Sequence, residues 1–165
     1  MDLHTSPLPV SFLTRVREQG IDDQGQQVQR LRSVEGGEPC RDVLRRARPG
    51  EELILASFCP FEEVGPYREF GPVFVLAEAS DEEVSHEGFP SPRGCEEDYF
   101  RERLVLRAYS HDERILDAQM VEAGSAAEAA ERLLTSPDVA FLHARFPTYG
   151  CFACRIDRSE VPPDS

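Results

Sequence analysis

The chain has 165 residues, a length that fits one domain with a hydrophobic core of its own. Its 31 acidic residues outnumber its 18 basic residues, and the resulting net charge of −13 repels nucleic-acid phosphates and anionic membrane surfaces. We therefore expect no nucleic-acid partner and no membrane partner.

Alternation of apolar and polar residues predicts two half-buried strands near the start of the chain, over Val10–Val16 and Val28–Val34. A helix is predicted next, over Cys40–Arg48, because its apolar residues recur at helical spacing. Pro39 suits the first turn of this helix, and a Pro-Gly pair ends it. The first third of the chain therefore predicts two strands followed by one helix.

Two segments in the middle of the chain, Glu52–Phe58 and Val73–Ala77, are apolar on both faces and are predicted to be central strands. The acidic stretch Ser80–Asp98 is rich in proline and glycine and is predicted to be a loop. A second helix begins at Ser125, where the run Ser-Ala-Ala-Glu fits a capping box, and stops before Pro137. The remaining alternating segments are predicted strands: Leu104–Tyr109, Ile115–Val121, Val139–Phe146 and Cys151–Asp157.

Strands outnumber helices too strongly for a repeating βαβ pattern. The sequence predicts an α+β fold, with a mixed or antiparallel sheet of about five to eight strands and two main helices packed on it. This single domain is expected to cover residues 1–160, with a frayed tail over residues 161–165.

The five cysteines bear on the compartment in which the protein works. An odd number of thiols, in a chain long enough to fold without disulfides, is typical of a reducing environment. The start of the chain shows no basic run followed by an apolar stretch, and no segment has the roughly 18 apolar residues of a membrane span. We therefore expect a cytoplasmic protein with free thiols.

Cys40 is the first candidate for chemistry, because the predicted helix places its thiol in the opening turn. The helix dipole and the neighbouring Arg41 both favour a thiolate there, whereas Asp42 opposes it. The alternative interpretation is a small buried hydrophobic residue, since free cysteine is among the most buried residue types.

Cys151 and Cys154 form a single Cys-x-x-Cys pair. Zinc sites need two such pairs or two nearby histidines, and thioredoxin-like chemistry needs the pair at the start of a helix. Here the pair lies on a predicted strand, where residues three apart point to opposite faces of the sheet. We therefore predict no metal site, no stoichiometric zinc and no cofactor.

The last two predicted strands are separated by a loop short enough for a hairpin. Closing that loop evenly sets Phe146 opposite Cys151 and His143 opposite Cys154. His143 would then share a face with Cys154, while Cys151 and Arg155 would lie on the other face. A slip of one residue reverses this arrangement. His143 is a candidate ligand or base, with a core histidine bonded to the backbone as the alternative.

A stiff loop, Gly65–Pro72, joins the two predicted central strands. Glycines and prolines at both of its ends hold Tyr67 and Arg68 in defined places. An aromatic ring fixed beside a guanidinium can bind an anionic or planar ligand. The alternative interpretation is that the loop is an ordinary structural turn.

Several stretches carry a resemblance to a known family: Glu38–Arg41, Gly65–Arg68, Gly71–Val75, Leu106–Tyr109, Phe141–His143 and Gly150–Arg158. Between residues 36 and 158 they resemble, in the same order, the bacterial family called domain of unknown function 1203. The resemblance implies membership of that family without an activity. It implies these family-like residues: Cys40, Arg41, Tyr67, Arg68, His143, Cys151 and Arg155. The chain departs from the family pattern at Cys154, where alanine is commoner, and at Ala144–Phe146, where His-Asn-Ala is commoner.

The leading functional hypothesis is a pocket for a small anionic molecule. The start of the Cys40 helix, the Tyr67 loop and the C-terminal hairpin would form it. Arg41, Arg68 and Arg155 would supply charge-assisted hydrogen bonds, and Tyr67 would form a flat wall.

Two further hypotheses remain open, so the sequence does not decide whether the protein is an enzyme. In a thiol-dependent enzyme or redox protein, Cys40 or Cys151 would be the nucleophile and His143 its base. In an interaction module, the acidic surface would meet a basic protein partner, because residues 51–165 carry 24 acidic residues against 10 arginines. No glycine-rich phosphate loop, nucleophile elbow or paired-histidine metal motif favours a named reaction.

Overall fold

A computed structural model describes residues 1–90 and 99–160 of the protein. These residues form two five-stranded sheets and two α-helices. The predicted frayed tail and the end of the predicted acidic loop lie outside the described residues.

The first sheet, called here the C-terminal sheet, is antiparallel throughout. Its strands lie in the order β1 (Leu3–Ser6), β10 (Phe152–Arg158), β9 (Phe141–Arg145), β7 (Arg103–Tyr109) and β8 (Ile115–Glu122). Strands β7 to β10 were predicted from alternation. Strand β1 was not, because its four residues are too few to show a period.

The second sheet, called here the N-terminal sheet, is mixed. Its strands lie in the order β2 (Gln29–Arg32), β5 (Glu52–Phe58), β6 (Gly71–Leu76), β3 (Pro39–Cys40) and β4 (Arg45–Arg46). Strands β3 and β6 run parallel, and the other neighbours run antiparallel. The two strands predicted to be central, β5 and β6, both lie inside this sheet.

The first predicted strand is wrong, because the segment forms a helix. Helix α1 (Val10–Thr14) continues as a π-helical turn that ends at Gln19. Phe12 and Val16, four residues apart, are buried on one side, whereas Val10 is 78% exposed. The apolar residues here fit a period of two as well as a helical period, and burial selects the helical one.

The helix predicted from Cys40 onward is also wrong. These residues form the short strands β3 and β4 and a tight turn, in which Cys40 pairs with Arg45 and Leu44 has a φ of 51°. That left-handed conformation is incompatible with a continuous α-helix. Arg45 is buried, and its guanidinium binds Glu51 and Glu82 at 2.7 Å each. Two carboxylates therefore neutralise its charge.

The second predicted helix is confirmed. Helix α2 (Ala126–Leu134) follows a 3-10 turn that begins at Ala123, and it ends before Pro137. Ser125 precedes it without a side-chain hydrogen bond to any described helix residue, so the predicted capping box is wrong. Helix α2 packs on one face of the C-terminal sheet, around a hydrophobic cluster that includes Leu134.

The two faces of the C-terminal sheet differ in chemistry. Beneath α2 the strands present aliphatic side chains such as Leu106 and Leu142, which are fully buried. The opposite face carries polar and aromatic residues: Arg107, Tyr109, Phe141, His143, Arg145 and Arg155. Phe152 of β10 joins the two sheets, because its ring lies 5.4 Å from that of Phe58 in β5.

The α+β class is confirmed, with the correction that the strands divide into two sheets instead of one. Periodicity identifies strands but does not show which strands pair, so the division was not visible in the sequence. None of the helices within residues 1–90 and 99–160 is long and apolar enough to cross a membrane.

Candidate functional site

A cleft of about 940 Å³ opens between the N-terminal sheet and the turn that joins β9 to β10. Its walls come from the residues around β3 and β4, the first half of β6, the segment before β7, and the β9–β10 turn. Its charged lining residues, among those described, are Glu38, Arg41, Arg46, Arg101, Glu102 and Arg103. The described part of the cleft lining thus combines four positive side chains with two negative ones.

Arg41 lies in the wall of this cleft and is only 3% exposed. Its guanidinium donates hydrogen bonds to the carbonyl oxygens of Phe152 at 2.8 Å and Pro39 at 2.7 Å, and to Sγ of Cys151 at 3.3 Å. These three bonds use three of its five N–H donors. Arg41 pairs with no carboxylate among the described residues, so its charge is not neutralised by an ion pair there.

The ring of Phe146 lies between two arginines of the cleft. The Cζ atoms of Arg41 and Arg46 are 5.2 Å and 5.1 Å from its centroid. Arg46 also donates hydrogen bonds to the carbonyl oxygens of Tyr99 at 3.1 Å and Gly37 at 2.8 Å. Cation–π contacts and backbone acceptors together fix the orientation of both guanidinium groups.

Cys151 lies where the cleft meets a smaller neighbouring cavity. Its side chain is half-buried, and its sulfur accepts the hydrogen bond from Arg41. Of the two predicted nucleophiles, Cys151 is therefore the one that reaches the cleft.

Cys40 is fully buried in β3 and does not lie at a helix start, so the dipole argument for its reactivity is wrong. Burial, reinforced by the charge of Asp42, raises the pKa of the Cys40 thiol to about 12. Its sulfur contacts the carbonyl oxygen of Glu38 at 3.5 Å. Cys154 is buried in the cluster beneath α2, and burial raises its thiol pKa as well. Both thiols therefore match the alternative of small buried hydrophobic residues.

The β9–β10 hairpin begins in the predicted register. Phe146 donates its backbone N–H to the carbonyl oxygen of Cys151, which sets the two residues opposite each other. A bulge before Cys154 then shifts the pairing by one residue, so that His143 pairs with Arg155. The prediction that His143 and Cys154 share a face is wrong for this reason.

His143 is fully buried in an aromatic cage. Neither of its ring nitrogens has a hydrogen-bond partner among the described residues, which also means that no thiol there binds it. Burial, followed by the charge of Arg145, holds the pKa of His143 well below its usual value of 6.5, so the ring is neutral. Four rings lie 4.8–5.2 Å from its own: Phe61, Tyr109, Phe141 and Phe152.

The other predicted ligand-binding residues lie outside the lining of the cleft. The guanidinium of Arg155 lies 4.0 Å from the centroid of Phe141 and binds Asp157 at 2.9 Å. Tyr67 is 39% exposed in the loop between β5 and β6, and Arg68 is exposed beside it. Their role in binding a ligand stays a prediction.

Of the predicted site residues, Arg41 and Cys151 meet in the cleft. Sequence reasoning missed Arg46, Phe146 and Tyr149. A signal for them existed, because Arg46 follows a run of closely spaced arginines and the two aromatic residues flank the Pro-Thr of a tight turn. Their convergence depends on how two separate sheets meet, and the sequence does not show that.

Cys154 is buried in the hydrophobic cluster beneath α2, and the half-buried Cys151 packs against the same cluster while also lining the cleft. Within residues 1–90 and 99–160, no group of three histidine, cysteine, aspartate or glutamate side chains is placed to hold a metal ion. The expected lack of zinc stays a prediction for elemental analysis.

Comparison with known proteins assigns the chain to a family. The profile of the family described as protein of unknown function, DUF1203, matches residues 37–158, which is more than half of the chain. The protein belongs to this family, as its sequence resemblance implied. No curated protein and no solved structure gives a significant match.

Proposed function

We propose that the cleft binds a small anionic molecule that also carries a flat apolar group. The observation that carries the proposal is Arg41, a buried guanidinium without a carboxylate partner among the described residues, in the wall of the cleft. Burying a charge without a counter-ion costs free energy. An anion bound in the cleft offsets that cost.

The charge distribution supports an anion. Among the residues that the structure describes, Arg41 and three further arginines line the cleft together with two glutamates, although the whole chain has a net charge of −13. Salt screens the distant acidic surface beyond roughly 8 Å, so nearby charges set the potential inside the cleft, and among them Arg41 has no carboxylate partner in the described part of the chain. Guanidinium forks match the oxygen geometry of carboxylates and phosphates.

The size and apolar lining of the cleft support a flat group on the ligand. The volume of about 940 Å³ lies near the upper end of the range usual for small-molecule sites, about 300–1,000 Å³. Phe74, Phe100 and Phe146 line it, and Tyr149, 89% exposed, stands at its edge. The ligand class that fits is an aromatic carboxylate or an aromatic phosphate ester.

Calorimetric titration with phenyl phosphate and benzoate, at constant ionic strength, tests this proposal. Benzamide is the matched control, because it keeps the ring and the planar head group and removes the charge. We expect saturable binding of one site per chain for the anions, tighter for phenyl phosphate, and at least about tenfold weaker binding of benzamide. Added salt should weaken the binding of the anions and leave that of benzamide unchanged.

Equal affinity for benzoate and benzamide would show that the ring alone is recognised and would contradict an anion site. A lack of saturable binding by both anions would also contradict it.

A thiol-dependent activity at Cys151 is a second candidate function. The hydrogen bond from Arg41 to Sγ of Cys151, at 3.3 Å, favours this candidate. In this reading Arg41 activates the nucleophile, and His143 is not its base, because the neutral imidazole lies in its aromatic cage. A ligand in the cleft would then lie against the sulfur.

A further inference from the structure

Glu69 reaches from the loop between β5 and β6 to the arginine-bearing face of the C-terminal sheet. There it forms an ion pair with Arg145 and another with Arg107, whose Nη1 lies 3.4 Å from Oε1 of Glu69. The side chain of Glu69 is 44% exposed, whereas that of Arg145 is 6% exposed. An exposed loop carboxylate thus neutralises a buried guanidinium.

Arg145 is incompletely satisfied in this arrangement. Its Nη1 donates a hydrogen bond to the carbonyl oxygen of Gly150 at 3.2 Å, and its Nη2 forms an ion pair with Glu69 but makes no hydrogen bond of regular geometry to a described residue. Its buried Nε has no hydrogen-bond partner among the described residues. A buried donor without an acceptor is costly, so Arg145 retains capacity for a further acceptor.

A cavity of about 170 Å³ lies against Arg145. Glu69 and Phe70 form part of its wall, and it shares Tyr149 and Cys151 with the larger cleft. The buried guanidinium, its unused donor and an adjacent empty volume therefore coincide at one place.

We propose that this cavity is a second anion site, which Glu69 blocks and which a small carboxylate enters by replacing the Glu69 carboxylate on Arg145 and Arg107. A carboxylate is the fitting class, because the carboxylate of Glu69 in the cavity wall already pairs with Arg145 of that wall and with Arg107, which is not among the lining residues. The cavity is smaller than the roughly 300 Å³ at which ordinary ligand pockets begin, so the ligand is of the size of acetate.

Glu69 acts in this site as an internal competitor. The apparent affinity of an entering carboxylate equals its intrinsic affinity multiplied by the fraction of molecules in which Glu69 has left Arg145. The loop sets the concentration at which the site fills, and binding displaces the loop that carries Tyr67, Arg68 and Phe70. This site does not contain Arg41, so the test of this site is independent of the test of the anion site in the cleft.

Acetate titration of ¹⁵N-arginine-labelled protein, at constant ionic strength, tests the proposal. The signal followed is the Arg145 Nε–H resonance, assigned by its loss in Arg145→Gln. We expect acetate to shift this resonance in the wild type and to bind Glu69→Gln at least about tenfold more tightly, because the neutral amide no longer competes for two guanidinium groups. Acetamide, the neutral isostere, should leave the resonance unchanged.

The matched control is Glu63→Gln, which removes the same charge from the same loop at an exposed position whose side chain faces solvent. Its acetate affinity should equal that of the wild type. The double variant Glu69→Gln/Arg107→Gln should lose the gain, and Arg107 is a suitable second site because its side chain is 30% exposed. The proposal is overturned if acetate fails to shift Arg145 in Glu69→Gln, or if Glu63→Gln gains affinity equally.

Discussion

Arg41→Met is expected to weaken phenyl phosphate binding in the cleft by about a hundredfold or more, because charge-assisted hydrogen bonds are among the strongest a ligand can make. The same change removes the donors to the carbonyl oxygens of Pro39 and Phe152. We expect a loss of about 2–4 kcal/mol in the free energy of unfolding, because one buried and one partly buried carbonyl oxygen lose their donors. Calorimetry measures the first effect, and circular dichroism in urea measures the second.

Two further variants separate binding from folding. Arg103→Gln removes a cleft arginine whose side chain is 59% exposed, so it should fold normally and weaken binding less than Arg41→Met does. Arg132→Gln removes an equally exposed arginine on α2, away from the cleft, and should leave the affinity unchanged. If Arg132→Gln weakens binding as much as Arg103→Gln does, the cleft has no special role and only total charge matters.

Alkylation with iodoacetamide is expected to modify Cys151 at least about a thousandfold faster than Cys40 in the folded protein at pH 8. Cys40 is fully buried, and a pKa of about 12 leaves a thiolate fraction of only about 10⁻⁴ at that pH. Because burial raises this pKa, the Cys40 rate should rise tenfold per pH unit up to about pH 12. Peptide mass spectrometry after timed quenching gives the rate for each cysteine.

Unfolding in urea is the control for this experiment, and it should bring the rates of Cys40 and Cys154 close to that of Cys151. Arg41→Lys should slow the alkylation of Cys151, because a lysine ammonium has no guanidinium fork and loses the contact to sulfur. Phenyl phosphate should protect Cys151 if both candidate functions share the cleft. Rapid modification of Cys40 in the native protein would contradict the structural placement of that thiol.

Much of the fold was predictable, because long segments in which apolar and polar residues alternate indicate which side chains are buried. Strands β5 to β10 follow from their apolar patterns, and α2 follows from helical spacing that stops before a proline. Predictions for short segments were wrong where two periods fit the same residues. In α1, only the exposure of Val10 distinguishes the helical period from a period of two. The turn at Leu44 was not predicted, because a residue in the left-handed conformation leaves no mark on the spacing of apolar side chains.

The candidate site was less predictable than the fold. Arg41 and Cys151 were identified as residue types suited to an anion or to thiol chemistry, and they meet, but through a strand and a turn instead of a helix start. A single bulge moved His143 away from Cys154, and alternation alone does not predict bulges. The acidic interaction module stays a prediction, since it depends on a partner and not on internal contacts.

The most direct test of the anion cleft is the response of Arg41 itself. Its Nε–H donates to the buried carbonyl oxygen of Phe152 at 2.8 Å and should therefore give a slowly exchanging ¹⁵N–¹H resonance. We predict that phenyl phosphate shifts this resonance with the dissociation constant measured by calorimetry, while the Nε–H of Arg155 on the opposite face of β9–β10 stays unchanged. A saturating calorimetric signal with no shift at Arg41 would place the ligand elsewhere and contradict the central claim.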